Sequence, residues 1–113
     1  MKKITQLDNS PKQKLRMLLN NGNSVVFKFE YKSNQLGWFF GFKYNDINYQ
    51  NIRLTTSFNI LRAYRSYLPF GLRCDTPNNE EPTDINDFIT GYATVYLLDK
   101  QDVEATEGNI FQR

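Results

Sequence analysis

Hydrophobic and polar residues alternate along residues 24–33, the stretch SVVFKFEYKS. One face of this stretch is apolar or aromatic, because it carries Val25, Phe27, Phe29 and Tyr31. The other face carries Lys28, Glu30 and Lys32. A period of two with one charged face predicts a half-buried β-strand.

The next stretch, GWFFGFKY at residues 37–44, concentrates aromatic rings on one face of a second predicted strand: Trp38, Phe40, Phe42 and Tyr44. We interpret these rings as the core face of a central strand, while a platform for a ligand or a partner protein stays an alternative. Phe39 and Gly41 fall on the opposite face. There, Phe39 is expected to be exposed, and Gly41 indicates a bulge or a close approach to the strand.

Shorter patterns complete the prediction. Residues 14–19 and 49–54 indicate further strands, and Asn21-Gly22 predicts a hairpin turn. Apolar residues at steps of three and four between residues 55 and 68 predict a helix near 57–67, ended by Pro69. Strands follow at 70–75 and 92–99, on either side of an acidic loop at 76–87 that is too polar for a core.

The predicted fold is mainly β: a small antiparallel barrel or sandwich with one short helix. Short polar links between the first strands favour antiparallel pairing. The 113 residues suit one domain. We expect that domain at residues 14–99, with an N-terminal arm at 1–13 and a C-terminal tail at 100–113, both disordered alone and ordered in an assembly.

Charge is unevenly distributed along the chain. Residues 1–73 carry a net charge of +9 and residues 74–113 a net charge of −7, although the whole chain carries only +2. One interpretation is that the acidic third folds back and neutralises the basic part. The other is that the protein offers a basic face and an acidic face to different neighbours, or to copies of itself.

The residue types argue against catalysis. Histidine is absent, so the commonest general base and transition-metal ligand is missing. Cys74 is the only cysteine, and the acids of the 76–87 loop match no calcium-loop or glycosidase pattern. We therefore predict no enzyme, no cofactor and no metal site. No apolar run approaches the ~20 residues of a membrane span, so no membrane partner is expected.

Nucleic acid is the alternative partner. Lys28, Lys32 and Lys43 interleave with aromatic residues on a β-meander, as in proteins that bind single strands. Two features weaken this hypothesis. Most rings are needed for the core, and the acidic third would repel phosphates.

The order of the elements resembles a known family. A Trp-Phe strand, a Leu-x-x-Tyr-Arg stretch leading into a turn, a Pro-bearing polar loop and a closing aromatic strand are similar to the phage baseplate plug proteins first named from a contractile-tailed cyanophage. The resemblance covers about residues 12–99 and is carried by Trp38, Phe39, Leu61, Tyr64, Arg65, Leu68, Gly71, Leu72 and Tyr96.

This resemblance implies a structural, non-enzymatic virion protein at the centre of a phage tail baseplate, assembled in the host cytoplasm. Its expected partners are other tail proteins, the hub and the spike among them, with copies of the chain itself as a further option. As partner-binding residues we predict Phe39, Lys43, Arg62 and Arg73, the arginines through neighbouring carboxylates. The Tyr64-Arg65 pair is expected to fasten the predicted helix to the fold.

Overall fold

A computed structural model describes the backbone of residues 1–111 and the side chains of residues 1–106. The elements are β1 (Lys2–Lys3), β2 (Lys12–Leu18), β3 (Ser24–Lys32), β4 (Gly37–Tyr44), β5 (Ile47–Arg53), β6 (Phe70–Asp75), β7 (Thr94–Asp99) and α1 (Lys100–Phe111). Single 3-10 turns occur at Ser33–Gln35, Arg62–Tyr64 and Pro77–Asn79.

Strands β2 to β5 form a four-stranded antiparallel sheet in sequential order. The predicted hairpin at residues 20–23 is confirmed, since the Leu19 amide donates to the Asn23 carbonyl at 2.8 Å. The ring-rich face of β4 is buried as predicted, with Trp38 0% and Phe40 2% exposed. This sheet therefore supplies most of the aromatic core.

Strands β1, β7 and β6 form a second antiparallel sheet, in that order. Phe70 at the start of β6 joins the two sheets, because its ring contacts Phe27, Phe42 and Tyr44 with centroids 6.0, 5.4 and 5.5 Å away. The two sheets share one core and do not close into a barrel. The mainly-β prediction is confirmed, and of its two options the sandwich is the one formed.

The helix predicted near 57–67 is not formed, and this segment contains only the 3-10 turn Arg62–Tyr64. Its backbone is bound to β6 instead, since the Ile60 amide donates to the Leu72 carbonyl at 2.7 Å. The Asn59 side-chain oxygen accepts hydrogen bonds from the amides of Leu61 and Leu72. The one α-helix of the described residues is α1, within the predicted C-terminal tail.

The acidic loop at 76–87 is more than a solvated connection. The Trp38 indole donates to the Asp84 carbonyl at 3.2 Å, and the Tyr31 hydroxyl donates to the Thr83 carbonyl at 2.7 Å. Pro82 and Asp87 of this loop are buried. The loop therefore closes one end of the sandwich, and its other residues stay at least partly exposed, as expected of a segment too polar for a core.

Residues 1–13 belong to the sandwich rather than to a separate arm. β1 pairs with β7, and Ile4 and Leu7 are buried in the core. At the other end, α1 occupies residues 100–111, so the predicted tail begins as a helix packed near β6 and β7. Gln112 and Arg113 lie outside the described residues. Alternating apolar positions are too few in residues 1–13 to indicate a strand.

Replacing Phe70 with alanine is expected to lower the free energy of unfolding by about 3–5 kcal/mol, because it removes a buried ring that contacts both sheets. Urea denaturation measures this change. Phe58→Ala is the matched control: Phe58 is 55% exposed, and we expect its loss to cost less than about 1 kcal/mol. Equal costs for the two variants would contradict the assigned role of Phe70.

Hydrogen exchange in the isolated protein should show protection at the Ile4 amide, which donates to the Val95 carbonyl at 2.8 Å. This expectation reverses the sequence-based expectation of disorder for residues 1–13. The Gln6 amide is the internal control, since no described residue accepts a hydrogen bond from it. Exchange at Ile4 as fast as at Gln6 would show that β1 is not formed in solution.

Candidate functional site: the outer face of the four-stranded sheet

The outer face of the four-stranded sheet carries seven of the chain's fourteen Lys and Arg residues. Residues directly opposite one another in antiparallel strands share a face, and the register aligns Lys14 with Lys28 and Gly41, and Val26 with Lys43. We call this surface the basic face and define it by its cations: Lys12, Lys14, Arg16, Lys28, Lys32, Lys43 and Arg53. Glu30 is the one acidic residue in these four strands.

Phe39 lies on this face, as predicted, but it is only 9% exposed. The Lys32 ammonium lies 4.8 Å from the ring centroid, and the Arg53 guanidinium lies 5.3 Å from it. Long basic side chains commonly cover apolar surface in this way while their charges stay in water. The expectation of an exposed ring is therefore corrected, and Phe39 offers no open surface on which a nucleobase would stack.

Gly41 forms the floor of a groove on the basic face. The pairing of β4 with β5 shifts register between Phe40 and Phe42, so the predicted bulge is present. A Cβ atom at Gly41 would lie 2.6 Å from the Tyr49 carbonyl oxygen, so the predicted close approach is present as well. The groove above it has a volume of about 500 Å³.

Three exposed lysines, Lys14, Lys28 and Lys43, line this groove. None of them forms an ion pair with another described residue. Arg53 differs, because it binds Glu81 at 3.0 Å and the carbonyls of Gln35 and Leu36. The three lysines therefore keep their charges in solvent, while Arg53 holds neighbouring loops in place.

The other two predicted contact residues lie elsewhere. Arg73 is on β6 of the second sheet, where it pairs with Asp75 at 2.8 Å and covers Phe58 at 5.2 Å. Arg62 lies in the 3-10 turn, where its carbonyl accepts a hydrogen bond from Arg65. The fold thus brings Phe39 and Lys43 onto one face and places Arg62 and Arg73 on other parts of the molecule.

Tyr64 attaches the 3-10 turn to the four-stranded sheet, because its ring stacks on Tyr49 at 4.6 Å and 25°. Tyr67 completes the cluster through a hydrogen bond of 3.2 Å between its hydroxyl and that of Tyr49. This hydrogen bond is the main cause that raises the pKa of Tyr67 to about 12. The rings of Tyr49, Tyr64 and Tyr67 therefore hold the segment around the 3-10 turn against the four-stranded sheet.

The predicted contact residues did not include Lys12, Lys14 and Arg16, although these side chains lie on the basic face. Their spacing of two was visible in the sequence, and the hairpin at residues 20–23 sets the register that places them beside Lys28. Combining the turn with the alternation would have found them. The uneven charge distribution therefore survives folding on this face.

Elsewhere, the described residues offer little reactive chemistry. They contain no group of three or more acidic or cysteine side chains arranged to hold a metal ion. Burial, followed by the negative charges of Asp75 and Asp87, raises the pKa of the Cys74 thiol to about 12, so this thiol is protonated at neutral pH. Among residues 1–111, no helix combines the length and hydropathy needed to cross a membrane.

Fold and surface together define a small two-sheet β-sandwich protein with a basic outer face. The chain belongs to the family described as the cyanophage baseplate Pam3 plug gp18, which matches residues 1–100. The match includes residues 1–11, which the resemblance had not covered and which the structure places in the sandwich. No curated protein matches the chain significantly. The protein is therefore a virion-associated structural component of a phage tail baseplate that contacts other baseplate or tail proteins.

Gly41→Ala should lower the free energy of unfolding by about 1–3 kcal/mol, because the new methyl group would overlap the β5 backbone. Thermal or urea denaturation measures the change. Asn48→Ala, at an exposed position of β5, is the control and should stay within about 0.5 kcal/mol of the unaltered protein. An equally small effect at Gly41 would mean that the two strands are not in close contact there.

Proposed function

We propose that this protein is a non-enzymatic plug at the central hub and tube tip of the baseplate, and that it is assembled there in the host cytoplasm. The observation that carries the proposal is the family match over residues 1–100. The hub and the spike proteins are its proposed neighbours. The basic face is the surface through which it contacts an acidic region of a neighbour.

Charge and exposure support this choice of surface. Lys14, Lys28 and Lys43 are exposed around one groove, with Glu30 as the one acid on the four strands. Positive patches of this kind steer association and select partners with the opposite charge. Of the predicted contact residues, Lys43 would touch the partner directly. Phe39 would support the basic side chains that cover it.

Arg62 and Arg73 would contact neighbours only at other surfaces. Arg73 already has a carboxylate partner in Asp75, so a second contact through it would add to an existing ion pair. We assign these two arginines no part in the basic face.

Single-stranded nucleic acid is the second candidate partner, and the seven cations of the basic face favour it. Single-strand binding usually combines cations with open rings on which bases stack. Phe39 is covered by Lys32 and Arg53, which leaves this face without such a ring. The charge pattern alone therefore supports an acidic protein surface better than a nucleic acid.

Capture experiments with purified hub and spike proteins test the proposed function. The unaltered protein should retain at least one of them, and Lys28→Glu/Lys43→Glu should lose that partner. The control Lys3→Glu/Lys100→Glu makes the same change in net charge away from the basic face and should retain it. Thermal denaturation checks that all variants are folded.

Retention should weaken as salt screens the contact, over a Debye length of about 10 Å at 0.1 M. Oligo-dT is the competing probe. Failure to retain either tail protein at low salt would overturn the proposed position beside the hub. Salt-sensitive binding of oligo-dT that is lost in Lys28→Glu/Lys43→Glu would replace it with nucleic-acid binding.

A further inference from the structure

The folded chain carries two surfaces of opposite charge, which meet at the ion pair between Arg53 and Glu81. The first is the basic face. The second, which we call the acidic end, consists of Asp75, Glu80, Glu81 and Asp84. Asp75 shares a face of β6 with Arg73, and the other three lie in the loop that closes the sandwich beside Trp38.

We propose that the basic face of one copy binds the acidic end of a second copy, head to tail. This inference rests on the proposed function for the use of the basic face, and it adds a second copy to the hub and spike proteins as an acidic neighbour of that face. Both halves of the contact are present in this chain: neither the three groove lysines nor Glu80 and Asp84 of the acidic end form an ion pair with a described residue. Charge complementarity therefore identifies a second copy as the occupant.

The acidic end is held in a defined shape before any partner arrives. The Trp38 indole and the Tyr31 hydroxyl bind the loop backbone, and the Thr56 hydroxyl donates to the Asn79 carbonyl at 2.9 Å. Glu81 and Glu80 remain exposed while they contact Arg53 and Tyr92. A preformed surface loses little conformational freedom on binding, which favours association.

The basic face has the space and the flexible charged side chains that this contact requires. The groove over Gly41 leaves room of about 500 Å³ between the exposed side chains of Lys14, Lys28 and Lys43. Lysine ammonium groups are compact charges on flexible stems, so they adapt to carboxylates whose spacing is set by the other copy.

The arrangement excludes a two-fold dimer through the basic face, because two such faces would repel each other. A contact between two different surfaces repeats from copy to copy and gives either a closed ring or an open chain. The expected products at high protein concentration are therefore open chains or closed rings, the smallest ring being a dimer with two reciprocal contacts. Salt should dissociate them, since the contact is between charged groups.

Sedimentation velocity of the purified full chain tests this proposal across protein concentration at low and high salt. The unaltered protein should associate at low salt and become monomeric near 0.5 M salt. Lys28→Glu/Lys43→Glu and Glu80→Lys/Glu81→Lys should each weaken self-association by about tenfold or more, because each places like charges across the contact. The control Lys3→Glu/Lys100→Glu should associate like the unaltered protein.

Mixing the two charge-reversed variants gives the sharpest result. One retains the acidic end and the other retains the basic face, so an equimolar mixture should associate although neither variant does alone. Circular dichroism melting confirms that each variant is folded. A mixture that stays monomeric while the unaltered protein associates would overturn the head-to-tail contact.

An unaltered protein that stays monomeric at every concentration and low salt would also overturn it, as would association unaffected by either reversal. These failures are separable from failure of the proposed function. A monomeric protein that still captures the hub or spike protein through the basic face would retain its proposed position, with the second copy excluded as the occupant.

Discussion

The contact of Phe70 with three rings of the opposite sheet is the interaction on which the rest of the structure depends. Phe70 is fully buried against Phe27, Phe42 and Tyr44. Neither sheet alone can remove its apolar face from water, so both are stable only when packed together. The aromatic strand β4 is therefore a structural element first, and its rings are not a binding platform.

The burial of these rings in the core determines which residues are left on the outer surface of the four-stranded sheet. Because alternation sends the apolar side chains of β3 and β4 inward, the cations of the same strands must point outward. Their number is high enough that Lys32 and Arg53 also cover the one outward ring, Phe39. A tightly packed core and a strongly basic face are two results of the same pattern.

The segments that connect the strands are held in place by specific hydrogen bonds. Asn59 binds the 54–69 segment to β6, and its side chain lies so close to Gly71 that a Cβ there would approach it to 2.5 Å. The acidic loop is held by Trp38 at the end of the same sandwich. For a baseplate protein whose family match spans residues 1–100, rigid connections of this kind keep charged surfaces in constant positions relative to one another.

The sequence by itself determined strands β2 to β7, the hairpin at Asn21-Gly22, the buried face of β4 and the special role of Gly41, because period-two alternation and turn residues act locally. It also identified the family. Only the tertiary structure decided that residues 57–67 bind β6 instead of forming a helix, since the Asn59 hydrogen bonds join positions distant along the chain. The same holds for the burial of Phe39 and the separation of Arg62 and Arg73 from the basic face. Long side chains and loops take their positions from contacts across the fold, which no local pattern encodes.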